Sequence, residues 1–251
     1  FIDRMRLRLN TNPAVFRSPD MCIASSDDTA KIMRTGLRIQ PRDILITGHP
    51  KTDNLLNHKS PANSEIQNFF SKNVDFQFEK IIYVAPTFRD DPTFSIFSPY
   101  FSFDEATLCD FLEKIEAVII FRFHPSDKHH LLKRKTFISP RFFADYEFAL
   151  DPYLLLRSAS VLITDYSSLY SDFLLFDRPI VFSNFDHEQY LKETELYSEY
   201  NSVTPGPKAS NWKELQQHLE EILIKENDQF KDQRSLLTDK FYKFKDSGAC
   251  Q

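Results

Sequence analysis

The stretch from Val161 to Ser168, VLITDYSS, decides the fold, because an apolar run stops there abruptly at a carboxylate and a cluster of hydroxyls before a helical pattern begins. In an open α/β sheet, ligands bind beyond the carboxyl ends of the strands, where the following helix presents unpaired backbone N–H groups to anions. The stretch therefore predicts a buried strand followed by a phosphate-binding turn, residues 165–168, which we call the crest. Ser167 and Ser168 add hydroxyl donors to it. The alternative is that Asp165 or Ser167 only caps the helix.

Glycine is too scarce for a glycine-rich phosphate loop. The chain has only four glycines, which are Gly36, Gly48, Gly206 and Gly248. Neither a dinucleotide fingerprint nor a Walker loop can be assembled from them. Phosphate must therefore be held by other side chains and backbone groups.

Composition excludes several classes of function. The 251 residues carry 31 Lys plus Arg against 36 Asp plus Glu, and the net charge of −5 argues against general nucleic-acid affinity. The three cysteines lie far apart, so they predict neither disulfides nor a zinc site and fit a reducing cytoplasm. No run approaches the roughly 20 apolar residues of a membrane span. No carboxylate spacing favours a metal, and we predict no metal and no cofactor.

Short apolar runs alternate with helical patterns along the chain. The predicted strands are Met21–Ala24, Ile44–Ile46, Ile81–Ala85, Val118–Phe121, Val161–Ile163 and Ile180–Phe182. Because these runs are continuously apolar, they favour a parallel sheet covered on both faces, as in a doubly wound α/β fold. We expect residues 1–72 to be the tail of one α/β domain with its linker, and residues 73–251 to form a second, Rossmann-like domain.

Two side chains with phosphate chemistry follow the strand at 118–121. His124 comes two residues after Arg122, so both side chains leave an extended chain on the same side. Histidine can donate a proton to a leaving phosphate, and arginine can hold two phosphate oxygens at once. The alternative is a His-Pro turn with a purely structural role.

Another candidate group follows the strand at 81–85. Thr87 and Arg89 stand at its carboxyl end, and Arg89 is a second candidate phosphate ligand. The alternative is a surface arginine paired with Asp90 or Asp91.

Three further features have weaker functional content. The aromatic stretch Phe94–Phe103 is expected to pack over the sheet edge, the alternative being contact with an acceptor or lipid. The basic stretch Lys128–Lys135 fits a solvated helix face or an anionic partner. Trp212 shares a helical face with several leucines, which favours a core position.

Taken in chain order, five elements resemble the motifs of the CDP-glycerol glycerophosphotransferase family, whose members make teichoic acids and related capsules. The elements are Gly48–Asp53, Ala85–Asp90, Arg122–Pro125, Ile163–Ser168 and Pro205–Pro207. The resemblance extends from about Asp20 to Gly248. It implies a GT-B-like fold of two Rossmann-like domains, of which this chain would contain the end of the acceptor-side domain and the whole nucleotide-binding domain.

The resemblance also implies an activity and a site. The acceptor hydroxyl would attack the β-phosphorus of CDP-glycerol or CDP-ribitol and expel CMP, with His124 as the catalytic residue. The acceptor would be an anionic polyol-phosphate polymer or a glycan, reached by a peripheral contact at the inner face of the bacterial cell membrane. The implied substrate-binding residues are Lys51, Thr87, Arg89, Arg122, Asp165, Ser167 and Ser168.

The chain departs from the family pattern in two places. His49 and Lys51 stand where the family has an aromatic residue and an arginine, and lysine lacks the bidentate grip of arginine. The family's Trp-His-Gly motif, which carries the presumed general base, would fall before Phe1, so we expect a piece of a longer protein. The alternatives are a GT-B glycosyltransferase that uses a nucleotide sugar and a noncatalytic nucleotide-binding module.

Overall fold

The computed structural model describes residues 20–37, 39–56, 66, 70, 74–87, 89, 91, 94–122, 139–144, 151–194, 196, 198–246 and 248. By its internal contacts the chain divides into two compact units. Unit 1 contains residues 1–58, 186–205 and 233–251, and unit 2 contains residues 59–185 and 206–232. Two segments that the sequence analysis grouped with the second domain, 186–205 and 233–251, thus group with unit 1. The expected boundary between residues 72 and 73 lies outside the described residues and stays a prediction.

Unit 1 contains a small parallel sheet. Strands β1 (Cys22–Ala24) and β2 (Ile44–Ile46) pair in parallel, as the apolar runs at these positions predict. Directly after β1, the Ser25 carbonyl oxygen accepts a hydrogen bond from the Lys243 N–H at 2.8 Å. The helices of this unit are α1 (Asp27–Leu37), α2 (Pro50–Leu56), α6 (His187–Glu193), α7 (Tyr200–Val203) and most of α9 (Lys231–Phe241).

Unit 2 is built on a six-stranded parallel sheet. Its strands are β3 (Lys80–Ala85), β4 (Ala117–Phe121), β5 (Phe142–Ala144), β6 (Val161–Thr164), β7 (Ile180–Ser183) and β8 (Lys208–Ala209). They lie in the order β5-β4-β3-β6-β7-β8, with every pairing parallel. Numbered within the unit, this is the order 3-2-1-4-5-6 of a Rossmann sheet. The prediction of a doubly wound parallel sheet is confirmed.

Burial and capping explain why these segments form the unit. The strands from β4 to β7 are buried along their whole length, as strands covered on both faces must be. Helix α3 (Glu105–Lys114) begins at Asp104, whose carboxylate accepts from the Ala106 and Thr107 N–H groups. Helix α4 (Pro152–Ser158) begins at Asp151, which accepts from the Tyr153 N–H. The remaining helices are α5 (Leu169–Phe173) and α8 (Trp212–Leu223).

The aromatic stretch belongs to the core of unit 2. The Phe97 ring packs edge-on against Phe121 of β4, and the Phe103 ring packs edge-on against Trp212. The buried Trp212 donates its indole N–H to the Ile96 carbonyl oxygen at 2.6 Å. The core position predicted for Trp212 is confirmed. The stretch does pack against the protein, but the partners of Phe97 and Phe103 lie on the interior strand β4 and on helix α8 and not at the sheet edge, and Tyr100 is 86% exposed.

Over the described ranges, no helix combines the length and the apolar character needed to cross a membrane.

Candidate functional site

The sheet of unit 2 has its topological switch point between β3 and β6. These neighbouring strands end side by side, with Ala85 opposite Thr164. From β3 the chain continues toward β4 and β5 on one side, and from β6 toward β7 and β8 on the other. A crevice opens beyond the carboxyl ends of such a strand pair, and open α/β sheets bind their ligands there. The segment with Thr87 and Arg89 follows β3, and the crest follows β6, so the sequence-predicted residues meet at this point.

The Asp165 carboxylate joins the two segments. Its Oδ1 accepts hydrogen bonds from the Thr87 N–H at 2.7 Å, the Thr87 hydroxyl at 2.7 Å and the Tyr166 N–H at 2.6 Å. Its Oδ2 accepts from Nη2 of Arg89 at 2.7 Å, which is also an ion pair. The carboxylate is 2% exposed. A buried charge requires such pairing, so this network is a fixed part of the site.

Arg89 is held from several directions. Its Nη1 donates to the Thr87 carbonyl oxygen at 2.7 Å, and its guanidinium carbon lies 5.0 Å from the Phe94 ring centroid and 5.3 Å from that of Tyr166. Both distances are within the range of cation–π attraction. Arg89 was predicted to bind phosphate or to pair with Asp90 or Asp91, and the structure pairs it with Asp165, 76 residues away.

The crest leads into the short helix α5. Ser168 is the N-cap residue by position, but its hydroxyl makes no capping hydrogen bond and the residue is exposed. The Ser167 hydroxyl accepts from the Leu169 N–H at 3.3 Å. Asp165 accepts from Thr87, Arg89 and Tyr166, whereas the Ser167 hydroxyl accepts from the first N–H of the helix, as the capping alternative predicts for Ser167. The crest thus presents hydroxyls and backbone at the crevice on a turn that Asp165 anchors.

The strand ends beneath the crest are locked together. The Thr164 hydroxyl donates to the Ala85 carbonyl oxygen at 2.7 Å, and the Ser183 hydroxyl donates to the Thr164 carbonyl oxygen at 3.2 Å. These side-chain bonds extend the connection between β3, β6 and β7 past the ends of their ladders. Rigid support of this kind is what a precise binding site requires.

Arg122 stands at the end of the neighbouring strand β4. Its N–H donates to the Val84 carbonyl oxygen at 2.7 Å, which fixes its backbone beside β3, and the residue is partly exposed. His124 lies outside the described residues, so its catalytic role stays a prediction.

Lys51 lies on α2 of unit 1, where its N–H donates to the imidazole Nδ1 of His49 at 3.4 Å. Binding of the substrate by the Lys51 side chain also stays a prediction.

Sequence reasoning missed two residues of the site. Tyr166 and Phe94 flank the Arg89 guanidinium, and neither was assigned to the site in advance. Tyr166 lies inside the crest motif and could have been included from its position alone. Phe94 had no comparable signal, because it starts an aromatic stretch of which Phe97 and Phe101 belong to the core.

The one large pKa shift near the crest belongs to Tyr170 on α5. Burial raises the pKa of its phenol to about 12, and its ring packs edge-on against Phe182. The phenol therefore stays neutral throughout the physiological range. Within the described ranges, no three His, Cys, Asp or Glu side chains are grouped so that they could hold a metal ion.

The chain has relatives among known proteins. The chain is 27% identical over 234 residues to the teichoic acid ribitol-phosphate polymerase TarL of Staphylococcus aureus, which covers 92% of this chain and 40% of that protein. It is 31% identical over 195 residues to a teichoic acid glycerol-phosphate primase of Bacillus subtilis, covering 76% and 46%. The chain thus spans less than half the length of these two relatives.

The fold has a solved counterpart. A structure of the wall teichoic acid polymerase TagF, from a variant soaked with CDPG for 15 minutes, superimposes with a TM-score of 0.73 at 26% identity, covering 98% of this chain and 58% of that one. This likeness confirms the GT-B-like, Rossmann-type α/β class that the sequence predicts. Residues 6–251 match the family described as CDP-Glycerol:Poly(glycerophosphate) glycerophosphotransferase, and the chain therefore belongs to that family.

Proposed function

We propose that this chain forms the donor-binding part of a transferase that moves glycerol phosphate or ribitol phosphate from a CDP-activated donor to a growing wall or capsule polymer. The observation that carries the proposal is the Asp165 network at the switch point, which assembles Thr87, Arg89 and the crest serines where a Rossmann sheet binds nucleotides. The family description names CDP-glycerol, and a related polymerase has been studied with CDPG.

The donor diphosphate lies, in this proposal, across the crevice beyond β3, β4 and β6. The Ser167 and Ser168 hydroxyls donate to its oxygens from the crest, and the Arg122 guanidinium binds it from the end of β4. Arg89 lies at the same strand ends, with its side chain 9% exposed and its charge balanced by Asp165, so it contributes a hydrogen bond and no net charge. The net positive charge that offsets the diphosphate comes from Arg122.

The reaction is a displacement at the β-phosphorus. An acceptor hydroxyl forms a new oxygen–phosphorus bond and loses its proton, while the bond from the β-phosphorus to the bridging oxygen breaks and CMP leaves with the electron pair. His124 stabilises the charge on the leaving phosphate or protonates it. The acceptor is an anionic polymer or glycan, which the protein meets by a peripheral contact with the inner face of the cell membrane.

Donor titration tests the proposed substrate class. We expect isothermal calorimetry of the chain to show that CDP-glycerol and CDP-ribitol bind at least about tenfold more tightly than UDP-sugars, because a cytidine site discriminates by hydrogen bonds to the base. Tighter binding of a UDP-sugar would instead support a glycosyltransferase. If the chain bound the donor tightly but the full-length protein released no CMP in the presence of polymer acceptor, the noncatalytic module would be favoured.

The role of His124 can be tested by measuring CMP release from CDP-glycerol by the full-length protein in the presence of polymer acceptor. The His124→Ala variant should release CMP about 30-fold to 1000-fold more slowly, as expected for the loss of one contact worth about 2 to 4 kcal/mol in the transition state. His218→Ala provides the matched control, since the His218 Nε2 lies 3.0 Å from the Lys208 carbonyl oxygen, at the start of β8. An unchanged rate in His124→Ala would remove this residue from the mechanism.

A further inference from the structure

The Asp165 carboxylate is committed to groups of the protein itself. Three donors converge on Oδ1 and the Arg89 guanidinium binds Oδ2, all between 2.6 and 2.7 Å. An ionised carboxylate can only accept hydrogen bonds, and it repels a diphosphate. Direct contact with the Asp165 carboxylate would therefore not stabilise a bound diphosphate, although Asp165 lies within the crest motif.

Asp165 instead determines where its donors lie. The Thr87 segment is 78 residues distant in sequence and Arg89 is 76 residues distant, so neither is positioned near the crest by local chain geometry. The backbone and side-chain bonds from Thr87 hold the segment after β3 against the crest. The ion pair then fixes one end of the guanidinium.

Two aromatic rings lie within cation–π distance of the same guanidinium. Phe94 and Tyr166 have their centroids 5.0 and 5.3 Å from its central carbon, and Nη1 donates to the Thr87 carbonyl oxygen. A free arginine side chain loses substantial rotamer entropy on binding a phosphate. A guanidinium that is already fixed avoids most of that loss at the moment of binding.

We infer that Asp165 is a positioning residue, which acts on the donor diphosphate through Arg89 and not by contact. This inference rests on the proposed function, since it takes the diphosphate as the ligand of Arg89. Phe94 and Tyr166 serve the same end by holding the guanidinium plane. Asp165 differs in this from Ser167, Ser168 and Arg122, which contact the donor.

A double-mutant cycle in calorimetry tests the inference. We expect Asp165→Asn to weaken CDP-glycerol binding about tenfold and Arg89→Gln about 30-fold, each through a lost charge-assisted contact. If Asp165 acts through Arg89, the double variant binds within about threefold of Arg89→Gln alone. Multiplication of the two losses to about 300-fold, or no loss in Asp165→Asn, would overturn the inference.

CMP separates positioning from a general loosening of the fold. CMP lacks the β-phosphate, so Asp165→Asn should weaken the binding of CMP less than the binding of CDP-glycerol. A loosened fold would weaken the binding of both ligands equally and contradict the inference.

If Asp165→Asn fails to fold, Phe94→Leu replaces it, because this change removes one ring from Arg89 and leaves the carboxylate network. Its loss in affinity, about threefold, should vanish in the Arg89→Gln background. A persisting loss would overturn the inference, and an unchanged chain that does not bind CDP-glycerol would overturn the proposed function with it.

Discussion

The crest at 165–168 and the entry to β8 at Pro205–Pro207 are both motif elements, but different interactions fix their conformations. At the crest, a buried carboxylate gathers donors from a distant segment. At the β8 entry, close packing leaves room only for glycine. A Cβ on Gly206 would lie 2.0 Å from the carbonyl oxygen of Ile180 and 2.9 Å from the carbonyl carbon of the same residue. A motif can therefore mark ligand chemistry or close packing, and a substitution distinguishes the two by whether binding or stability changes.

The largest expected effect is at the β8 entry. Gly206→Ala should lower the free energy of unfolding by about 4 kcal/mol, or Tm by roughly 10 °C, because the new methyl meets backbone that cannot move aside. Thermal unfolding measures this, and CDP-glycerol affinity of the folded protein should be unchanged. Gly248→Ala is the control, since the nearest atom there is the Asp246 side chain at 3.3 Å. Equal Tm values for the two variants would contradict the claim that close packing at Gly206 stabilises the β8 entry.

Arg122→Gln should give the opposite pattern. We expect CDP-glycerol to bind about 30-fold more weakly, equivalent to about 2 kcal/mol, while Tm stays within about 1 °C, because a partly exposed arginine contributes little to stability. Arg42→Gln is the matched control, with an exposed side chain in unit 1. A large fall in Tm without a change in affinity would place Arg122 with the packing residues.

The sequence predicts the interior of the sheet better than its edges. Continuous apolar runs such as Val161–Ile163 identify strands buried on both faces, whereas β5 and β8 have three and two residues and were not foreseen. Both are edge strands, and neither contains the Ile, Val or Leu that marks the strands that were predicted. Gly206 entered the sequence analysis only as part of the Pro205–Pro207 element, because its steric role depends on the Ile180 carbonyl of another strand.

The site shows the same limit. Thr87, Arg89 and Asp165 could be chosen as candidates because each follows a predicted strand, and parallel strands bring their carboxyl ends to one edge. Their mutual hydrogen bonds could not be predicted, since they require the order of strands in the sheet. Without that order, Asp90 and Asp91 were the nearest partners for Arg89.

A smaller effect is expected in the aromatic part of unit 2. Trp212→Phe removes the indole hydrogen bond to the Ile96 carbonyl oxygen and should cost about 1 to 2 kcal/mol in the free energy of unfolding. Because this group packs in the core and does not belong to the crest, CDP-glycerol affinity should not change. Chemical denaturation with parallel calorimetry checks both values. Weaker donor binding in this variant would extend the site into the aromatic stretch.

The smallest expected effect is on the pH dependence of stability, at the buried Tyr170 next to the crest. The Tyr170 pKa is raised to about 12 in the folded protein, above the 10.0 of an unperturbed tyrosine. The folded state therefore holds this proton more tightly, and the resulting stability is present below pH 10 and lost as pH rises through 12. Tyr170→Phe should match the unchanged protein at pH 7 and lose less stability between pH 10 and 12. Parallel losses in the two proteins would show that the phenol is not held neutral by burial.

The most direct test of the central claim is a crystal structure of the chain with CDP-glycerol. The account predicts the diphosphate beyond the ends of β3 and β6, with its oxygens within hydrogen-bonding distance of the Ser167 or Ser168 hydroxyls and of the Arg122 and Arg89 guanidinium groups. The Asp165 carboxylate should still be bound to Thr87 and Arg89. A diphosphate bound elsewhere on the sheet, or one that displaces Arg89 from Asp165, would contradict it.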